Sequence, residues 1–350
     1  IPDSSYAGSH YSPWPSLKPY FWFLTGFADE QGGTLGAFCL GSDALTQLNY
    51  QLSVGYTRDH GRTPYGITLT DSRRPLPLTL SLSDLAVSRD AQVGGIDTAY
   101  WERRQTQELG VSYTWRTTRR ALTPSLAYRH QRLSGLNRIT AYGDPFWTGH
   151  LASLRLSCSY SDAHAYGYSI SPERGRTLHV EAEDYGRSLG SQIDQHVAWA
   201  RWTEYLPLPS AHHVLVVDAR CGVWQAAGRS HFDDAPAFDL RGYDSGMLNR
   251  TYRAAATAEY RCPLLRVERG ISTWPLYWKD LHAAAFIETG AQGGAAGDLA
   301  LDGALWSYGA ELRGDWLFSY ALPVRTTLGY ARTAVRPLRQ SIYWSIAIEL

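Results

Sequence analysis

Two short stretches of this sequence combine residue types that can bind each other. One has an arginine followed by a glycine and an aromatic residue, and the other has a carboxylate framed by an aromatic residue and a glycine. The residues are Leu240, Arg241, Gly242 and Tyr243 in the first stretch and Phe286, Glu288 and Gly290 in the second. A guanidinium and a carboxylate form a charge-assisted, two-pronged hydrogen-bonded pair. Such a pair would anchor one of these two stretches on the other.

No grouping of residues in the sequence predicts catalysis. A catalytic site needs a nucleophile with a base and an orienting group, or a metal cluster, and no nucleophile motif frames any serine. His212 and His213 adjoin at the start of a strand, where we expect an exposed turn. Asp233 and Asp234 lack the spacing of a calcium-binding loop. We therefore expect no enzyme activity, no cofactor and no bound metal ion.

The elements that must position the two stretches are strands with alternating side chains. In residues 251–264 the even-numbered side chains are apolar or aromatic, and most of the odd-numbered ones are polar or charged. A period of two with one apolar face indicates a half-buried strand. The same alternation puts Leu281 and Ile287 on one face and Phe286 and Glu288 on the other. Glu288 is thus expected to point to a polar interior, where Arg241 can meet it.

Similar alternation recurs along the chain in about sixteen segments, which suits a barrel with an open lumen. Five of them follow Arg241, at 249–263, 279–290, 305–318, 322–332 and 341–350. The chain has 23 Tyr and 13 Trp, and such enrichment is typical of the aromatic girdles of membrane barrels. A soluble β-protein would turn its apolar side chains inward and would seldom need so many aromatic ones near strand ends. We therefore predict an all-β fold, a transmembrane antiparallel β-barrel of about sixteen strands.

The domain organisation follows from the same pattern. Residues 1–17 are polar, are interrupted by two prolines and are predicted to form a periplasmic lead-in, and residues 18–350 are predicted to form the barrel. We expect the last strand to close on a strand at about Pro19 to Ala28, because a lipid environment cannot satisfy an open sheet edge.

Charge and cysteine usage narrow the function further. The formal net charge is +0, so no electrostatic footprint for nucleic acid is visible. Cys158, Cys221 and Cys262 fall on the apolar faces of their strands. We expect them to be free thiols that face lipid, not members of a disulfide framework.

The order and spacing of the two stretches resemble the outer-membrane superfamily of barrel-assembly factors and two-partner-secretion transporters, often called the bacterial surface antigen family. In that family the Arg-Gly-aromatic tip of a long extracellular loop folds into the lumen, where the arginine pairs with an acidic residue of a strand. The resemblance implies that Arg241 pairs with Glu288, at a position where the family more often has Asp. It extends over roughly residues 215–350.

The resemblance implies a location in the bacterial outer membrane and a role in inserting polypeptides into that membrane or moving them across it. Outer-membrane lipid and a protein partner are then the expected contacts. Members of the family usually carry periplasmic polypeptide-binding repeats before the barrel, and this sequence shows none. An alternative function is therefore an anchor or scaffold for a partner protein.

A β-propeller is one candidate for that partner, because residues 11–17 resemble the segment that precedes barrels in proteins with a Tol-type β-propeller. A passive porin would fit the lumen but would leave the arrangement of Arg241 and Glu288 unexplained. An outer-membrane lipase fits the sequence least.

Overall fold

The fold is known from a computed structural model, which describes residues 11–29, 32–57, 62–93, 96–136, 148–226, 238–244, 246–299, 303–319, 322–334 and 339–348. These residues form one sheet of seventeen strands. The strands are β1 (Lys18–Asp29), β2 (Gly32–Ser42), β3 (Leu48–Thr57), β4 (Tyr65–Asp71), β5 (Leu78–Val93), β6 (Ile96–Ser112), β7 (Trp115–Arg116), β8 (Ala121–Gly135), β9 (Gly149–Ser161), β10 (Gly175–Tyr185), β11 (Gln195–Pro207), β12 (Val214–Ala226), β13 (Tyr252–Gly270), β14 (Leu276–Gly293), β15 (Leu305–Phe318), β16 (Leu322–Thr333) and β17 (Gln340–Ile348). No helix in the described ranges is long and apolar enough to span a membrane.

Neighbouring strands pair antiparallel in chain order. Both β6 and the two-residue β7 pair with β8, so β7 continues β6 in the same place in the wall. The seventeen strands described thus occupy sixteen positions, which confirms the number expected from the sequence. Residues 349–350, which the sequence analysis assigned to the last strand, lie outside the described residues.

The connections between strands lie at the two ends of the barrel. We call the end that holds the connections 136–148, 186–194 and 227–251 the loop end, and the end that holds 43–47, 208–213 and 271–275 the turn end. The connection 227–251 joins β12 to β13. Its residues 227–237, with Asp233 and Asp234, lie outside the described residues.

The outward side chains of the wall are apolar, and the inward ones are mostly polar. Ile287 of β14 is 48% exposed, whereas its neighbours Phe286 and Glu288 are 5% and 4% exposed. At the turn end, the rings of Trp278 and Trp316 stack with centroids 4.8 Å apart. An apolar outer surface that carries aromatic residues near its rim is the surface of a barrel that faces lipid. The fold is therefore a transmembrane antiparallel β-barrel.

The cysteines lie on this outer surface as free thiols. Cys158, Cys221 and Cys262 are unpaired with one another, as the sequence analysis predicted, and the first of them lies opposite Val180 in the ladder between β9 and β10.

The described residues do not show the expected closure between the first and last strands. Among the described residues β1 pairs with β2 and β17 pairs with β16, and no ladder joins β1 to β17. The alternation that specifies register elsewhere is missing from β1, because the consecutive residues Tyr20, Phe21, Trp22, Phe23 and Leu24 are all apolar or aromatic and all exposed. A strand without a distinct polar face specifies its pairing register weakly. We call the gap between β1 and β17 the seam.

A charge placed on the outer surface should be costly, and a charge placed inside should not. We expect Leu156→Arg to lower the free energy of unfolding by about 2–4 kcal/mol, because Leu156 is 58% exposed on the lipid side. The adjacent inward residue Ser157, which is only partly buried, provides the control Ser157→Arg, which should cost much less. Urea unfolding in lipid vesicles measures both. Equal costs would contradict the assignment of the two faces.

Candidate functional site

The second stretch lies on β14, between β13 and β15. Register places inward residues of the three strands side by side at three successive levels below the loop end. From the loop end downward these levels are Thr257, Glu288 and Ser307; then Glu259, Phe286 and Gly309; then Arg261, Ala284 and Glu311. Three glutamates from three different strands therefore point into one small volume of the lumen.

The first stretch enters that volume from the connection between β12 and β13. Phe238, Leu240 and Leu248 of this connection are 2%, 3% and 4% exposed. They pack into a hydrophobic cluster with inward residues of the wall, including Trp224, whose ring lies 5.3 Å from that of Phe238 in an edge-to-face contact. Each fully buried side chain of this size contributes about 1.5–3 kcal/mol. The loop is thus held inside the barrel by a small hydrophobic core at the loop end.

Below this core, Arg241 binds Glu288 through both its backbone and its side chain. The backbone N–H of Arg241 donates to Oε2 of Glu288 at 2.7 Å, and Nε of the guanidinium donates to Oε1 at 2.8 Å. A second guanidinium nitrogen lies 2.7 Å from the same Oε1. Thr257 and Ser307 donate weaker hydrogen bonds to this carboxylate from either side, at 3.3 and 3.4 Å. The structure therefore brings together Arg241 and Glu288.

The guanidinium also binds two further carboxylates. Its remaining terminal nitrogen lies 2.9 Å from Oε2 of Glu259 and 2.9 Å from Oε1 of Glu311. Arg313 bridges the same two glutamates, with distances of 2.8 Å to each oxygen of Glu259 and 2.7 Å from its Nε to Glu311. Arg261 adds a 2.6 Å contact to Glu259. Three arginines thus balance three glutamates, and we call these six residues the lumenal charge network.

The environment keeps Arg241 charged. Burial alone would lower the pKa of Arg241, but the carboxylates of Glu288, Glu311 and Glu259 outweigh it and raise the pKa above its ordinary value. The charge is further stabilised by the Phe286 ring, whose centroid lies 3.4 Å from the guanidinium carbon. Arg241 is therefore a permanent cation that its surroundings are built to hold.

The other residues of the two stretches shape the space around this cation. Gly242 has a φ of +89°, a left-handed conformation that strains other residues, and a side chain there would come within 3.2 Å of Ala331. A side chain at Gly290 would lie 2.7 Å from Leu248 and 2.9 Å from Leu240. Tyr243 donates from its hydroxyl to the carbonyl of Trp306 at 2.9 Å. Both glycines thus make room for the returning loop.

Sequence reasoning missed five members of this site, namely Glu259, Arg261, Glu311, Arg313 and Tyr343, the last of which donates to Glu311. The polar register of each strand does contain a signal, because Glu259 and Arg261 are two residues apart on one inward face and Glu311 and Arg313 on another. The sequence pattern does not specify how neighbouring strands pair. It is this pairing register that places the residues at the level of the loop tip.

The adjacent histidines lie apart from this site. His212 and His213 are in the turn between β11 and β12, and each has its own partner. Nδ1 of His212 lies 2.7 Å from Glu173, and Nδ1 of His213 lies 2.6 Å from the hydroxyl of Tyr260. Because their ring nitrogens reach different partners, they form no shared ligand pair.

The charge network predicts that lysine cannot replace Arg241. We expect Arg241→Ala to lower the free energy of unfolding by about 3 kcal/mol, because it leaves carboxylates with too few counter-charges. Arg241→Lys should recover little, because one ammonium group cannot imitate the fork that reaches three carboxylates. Urea unfolding in vesicles and heat-modifiable mobility on gels measure the effect. Arg250→Ala, at an exposed arginine of the same loop, is the control, and an equal loss there would refute the specific role of Arg241.

Comparisons with known proteins support the fold. No protein-family model matches the sequence, and no curated protein matches it. Among solved structures, BamA from Haemophilus ducreyi lacking POTRA domains 1-3 matches with a TM-score of 0.61 at 12% identity, over 95% of this chain and 70% of that one. CdiB from Escherichia coli matches with 0.55 at 13% identity, and CdiB from Acinetobacter baumannii with 0.53 at 12% identity.

Both CdiB matches cover 93% of this chain, which spans 61% and 58% of the two CdiB chains. This chain therefore corresponds to less than two thirds of either CdiB protein. The part that it does span is similar in fold to the BamA and CdiB barrels.

Proposed function

We propose that this chain is a barrel of the bacterial outer membrane that inserts polypeptides into that membrane or moves them across it, without a catalytic step. The observation that carries the proposal is the seam, where the described residues of β1 and β17 form no ladder. The similarity of fold to BamA and CdiB supports it. So does the resemblance of the two sequence stretches to the family.

The physics of a sheet edge explains why the seam suits this role. An edge strand presents unpaired N–H and C=O groups, which lipid cannot satisfy. A client strand that pairs with β1 or β17 would satisfy them, as in strand addition to an exposed edge. Trp22 and Leu24 of β1 are 68% and 78% exposed, and Ile342 of β17 is 80% exposed. An apolar client strand would cover these side chains as well as the backbone.

A passive pore fits the same structure less well. The connection between β12 and β13 enters the lumen and packs into a hydrophobic cluster there, and the lumenal charge network lies directly beneath it. A pore for small solutes needs an open water-filled lumen. The anchored loop occupies part of that space. A function at the seam therefore fits the structure better than the passage of solutes through the lumen.

The proposal predicts that client polypeptides contact the seam. A photo-crosslinking amino acid placed at Trp22 or at Ile342 should form adducts with newly made outer-membrane or secreted polypeptides in living cells. The control position is Leu126, an outward residue of β8 that is 42% exposed and lies away from the seam. Adducts analysed by mass spectrometry should be confined to the two seam positions. Equal adducts at Leu126, or none at either seam position, would argue against this function.

A second function, an anchor or scaffold for a partner protein, is favoured by the segment that precedes β1. The hydroxyl of Tyr11 donates to Asp43 at 2.7 Å, and the backbone N–H of Ala44 donates to Ser16 at 3.1 Å. Burial works to raise the pKa of Asp43, but hydrogen bonds from Leu48, Tyr11 and Gln47 outweigh it and lower the pKa. The charged carboxylate thus fixes the segment against the turn end.

This fixed segment presents an aromatic surface to a partner. Trp14 is 71% exposed and lies in a short 3-10 turn that the contacts to Asp43 hold in place. A large exposed aromatic side chain on a rigid support is typical of residues that dominate protein interfaces. We propose a periplasmic protein, with a β-propeller as one candidate, as the partner in this alternative.

The scaffold function predicts that the segment is needed for complex formation and not for folding. Trp14→Ala and Asp43→Ala should both reduce co-purification of a partner after crosslinking in cells, while heat-modifiable mobility of the barrel stays unchanged. Arg119→Ala, at an exposed arginine in another connection at the turn end, is the control and should leave the complex intact. Undiminished co-purification with both variants would exclude this segment as the docking site.

A further inference from the structure

A second cluster of ionisable side chains lies in the wall near the turn end, apart from the lumenal charge network. Asp280 of β14 and Asp315 of β15 are directly opposite each other in the ladder, and His282 is the next inward residue of β14. The three are 6%, 7% and 1% exposed. One possible ligand atom of each lies within 4.8 Å of the others. Among the described residues, they form the one group of three that is spaced for a metal ion.

The charges of the cluster are incompletely balanced by its neighbours. Like charges directly opposite each other in a sheet destabilise it, and here both carboxylates are buried. Asp315 is compensated by Arg325, whose Nε and a terminal nitrogen lie 2.6 and 2.7 Å from its two oxygens. Nδ1 of His282 lies 3.0 Å from Asp280, and apart from that imidazole the nearest cation among the described residues is Lys279, which is 3.8 Å away and whose side chain is 38% exposed. While His282 is neutral, this distant, partly exposed ammonium group is the only counter-charge of Asp280 that the described residues provide.

Two other arginines near Asp280 are engaged elsewhere. Arg266 is opposite Asp280 in the ladder with β13, but its guanidinium donates to the carbonyl of Tyr168 at 2.9 Å and lies over that residue's ring. Arg313 is opposite His282, but it is held by Glu259 and Glu311. Neither guanidinium has a described contact with Asp280. The cluster therefore has room for a further positive charge.

We propose that Asp280, His282 and Asp315 bind a divalent first-row transition-metal ion such as Zn²⁺. Two carboxylates and a neutral imidazole neutralise a doubly charged ion, and oxygen and imidazole nitrogen are ligands that zinc accepts. Three protein ligands leave a fourth position for water from the lumen. The proposal is independent of the function proposed for the seam.

The surroundings supply the second layer of contacts that such ligands need. Metal-binding carboxylates and imidazoles are usually oriented by further hydrogen bonds. Arg325 orients Asp315, and the carboxylate keeps free lone pairs for an ion because each oxygen has two. Nδ1 of His282 lies 3.0 Å from Oδ1 of Asp280, and this contact orients the imidazole relative to that carboxylate. A bulge between Trp278 and Asp280 sets the direction of the Asp280 side chain.

The test uses the full chain, purified from membranes in detergent and stripped of metal with a chelator. Zn²⁺ is then added, and free metal is removed by gel filtration. The metal that remains bound to the protein is quantified by elemental mass spectrometry. Co²⁺ is used as a spectroscopic probe of the ligands. The variants are His282→Ala and the more conservative Asp280→Asn, and the control is Asp218→Asn, at a carboxylate on β12 outside the cluster. Heat-modifiable mobility shows whether each variant is folded.

We expect the wild type and Asp218→Asn to bind about one Zn²⁺ per chain, and both cluster variants to bind at least about tenfold more weakly, as loss of a ligand predicts. The Co²⁺ spectrum should show nitrogen and oxygen ligands without a thiolate charge-transfer band. A wild type that binds no stoichiometric Zn²⁺ would overturn the proposal, and this result does not depend on any variant's folding. A thiolate band would overturn it too, because it would assign the metal to the cysteines, and so would unchanged binding by folded cluster variants.

Discussion

The structure depends on one guanidinium group inside the barrel. Arg241 comes from a connection between strands, yet it contacts carboxylates of β13, β14 and β15. Glutamates at three different levels of the wall bind this one group, because a guanidinium presents its donors in a planar fork. A single ammonium group does not. Without this cation, the buried carboxylate of Glu288 would lose its guanidinium partner, and Glu259 and Glu311 would each lose one of theirs. The loop and the wall therefore stabilise each other, and neither arrangement is complete alone.

The hydrophobic core and the charge network act together at the loop end. Leu240, one residue before Arg241, is buried in the apolar cluster, and Gly290, two residues after Glu288, leaves the space that Leu240 fills. Apolar packing above the ion pairs keeps water from part of their surface. Ion pairs and hydrogen bonds are stronger where the local dielectric is lower. The two short stretches are thus one structural unit, in which apolar residues position the charged ones.

The sequence predicted the kind of fold and the faces of its strands better than their pairing. Alternation alone identified the inward direction of Glu288 and the outward direction of Ile287, because a period of two is a property of each strand by itself. The roles of Glu259 and Glu311 could not be predicted in the same way, because they depend on register between strands. The closure of the last strand on β1 was predicted wrongly for the described residues, because β1 has no distinct polar face to specify its register. Asp280 and Asp315 meet only through a pairing that joins residues distant in the chain.

The charge network also reaches the seam. Tyr343 of β17 donates its hydroxyl to Glu311, the same carboxylate that Arg241 contacts. In the ladder, Tyr343 lies opposite Gly329, which in turn lies opposite Glu311, so this hydrogen bond crosses the width of β16. The last strand is therefore tied to the anchored loop by its side chain as well as to β16 by its backbone. A change in the position of the loop would therefore alter the contact between Tyr343 and Glu311. Since Tyr343 belongs to β17, this contact links the anchored loop to the strand that borders the seam.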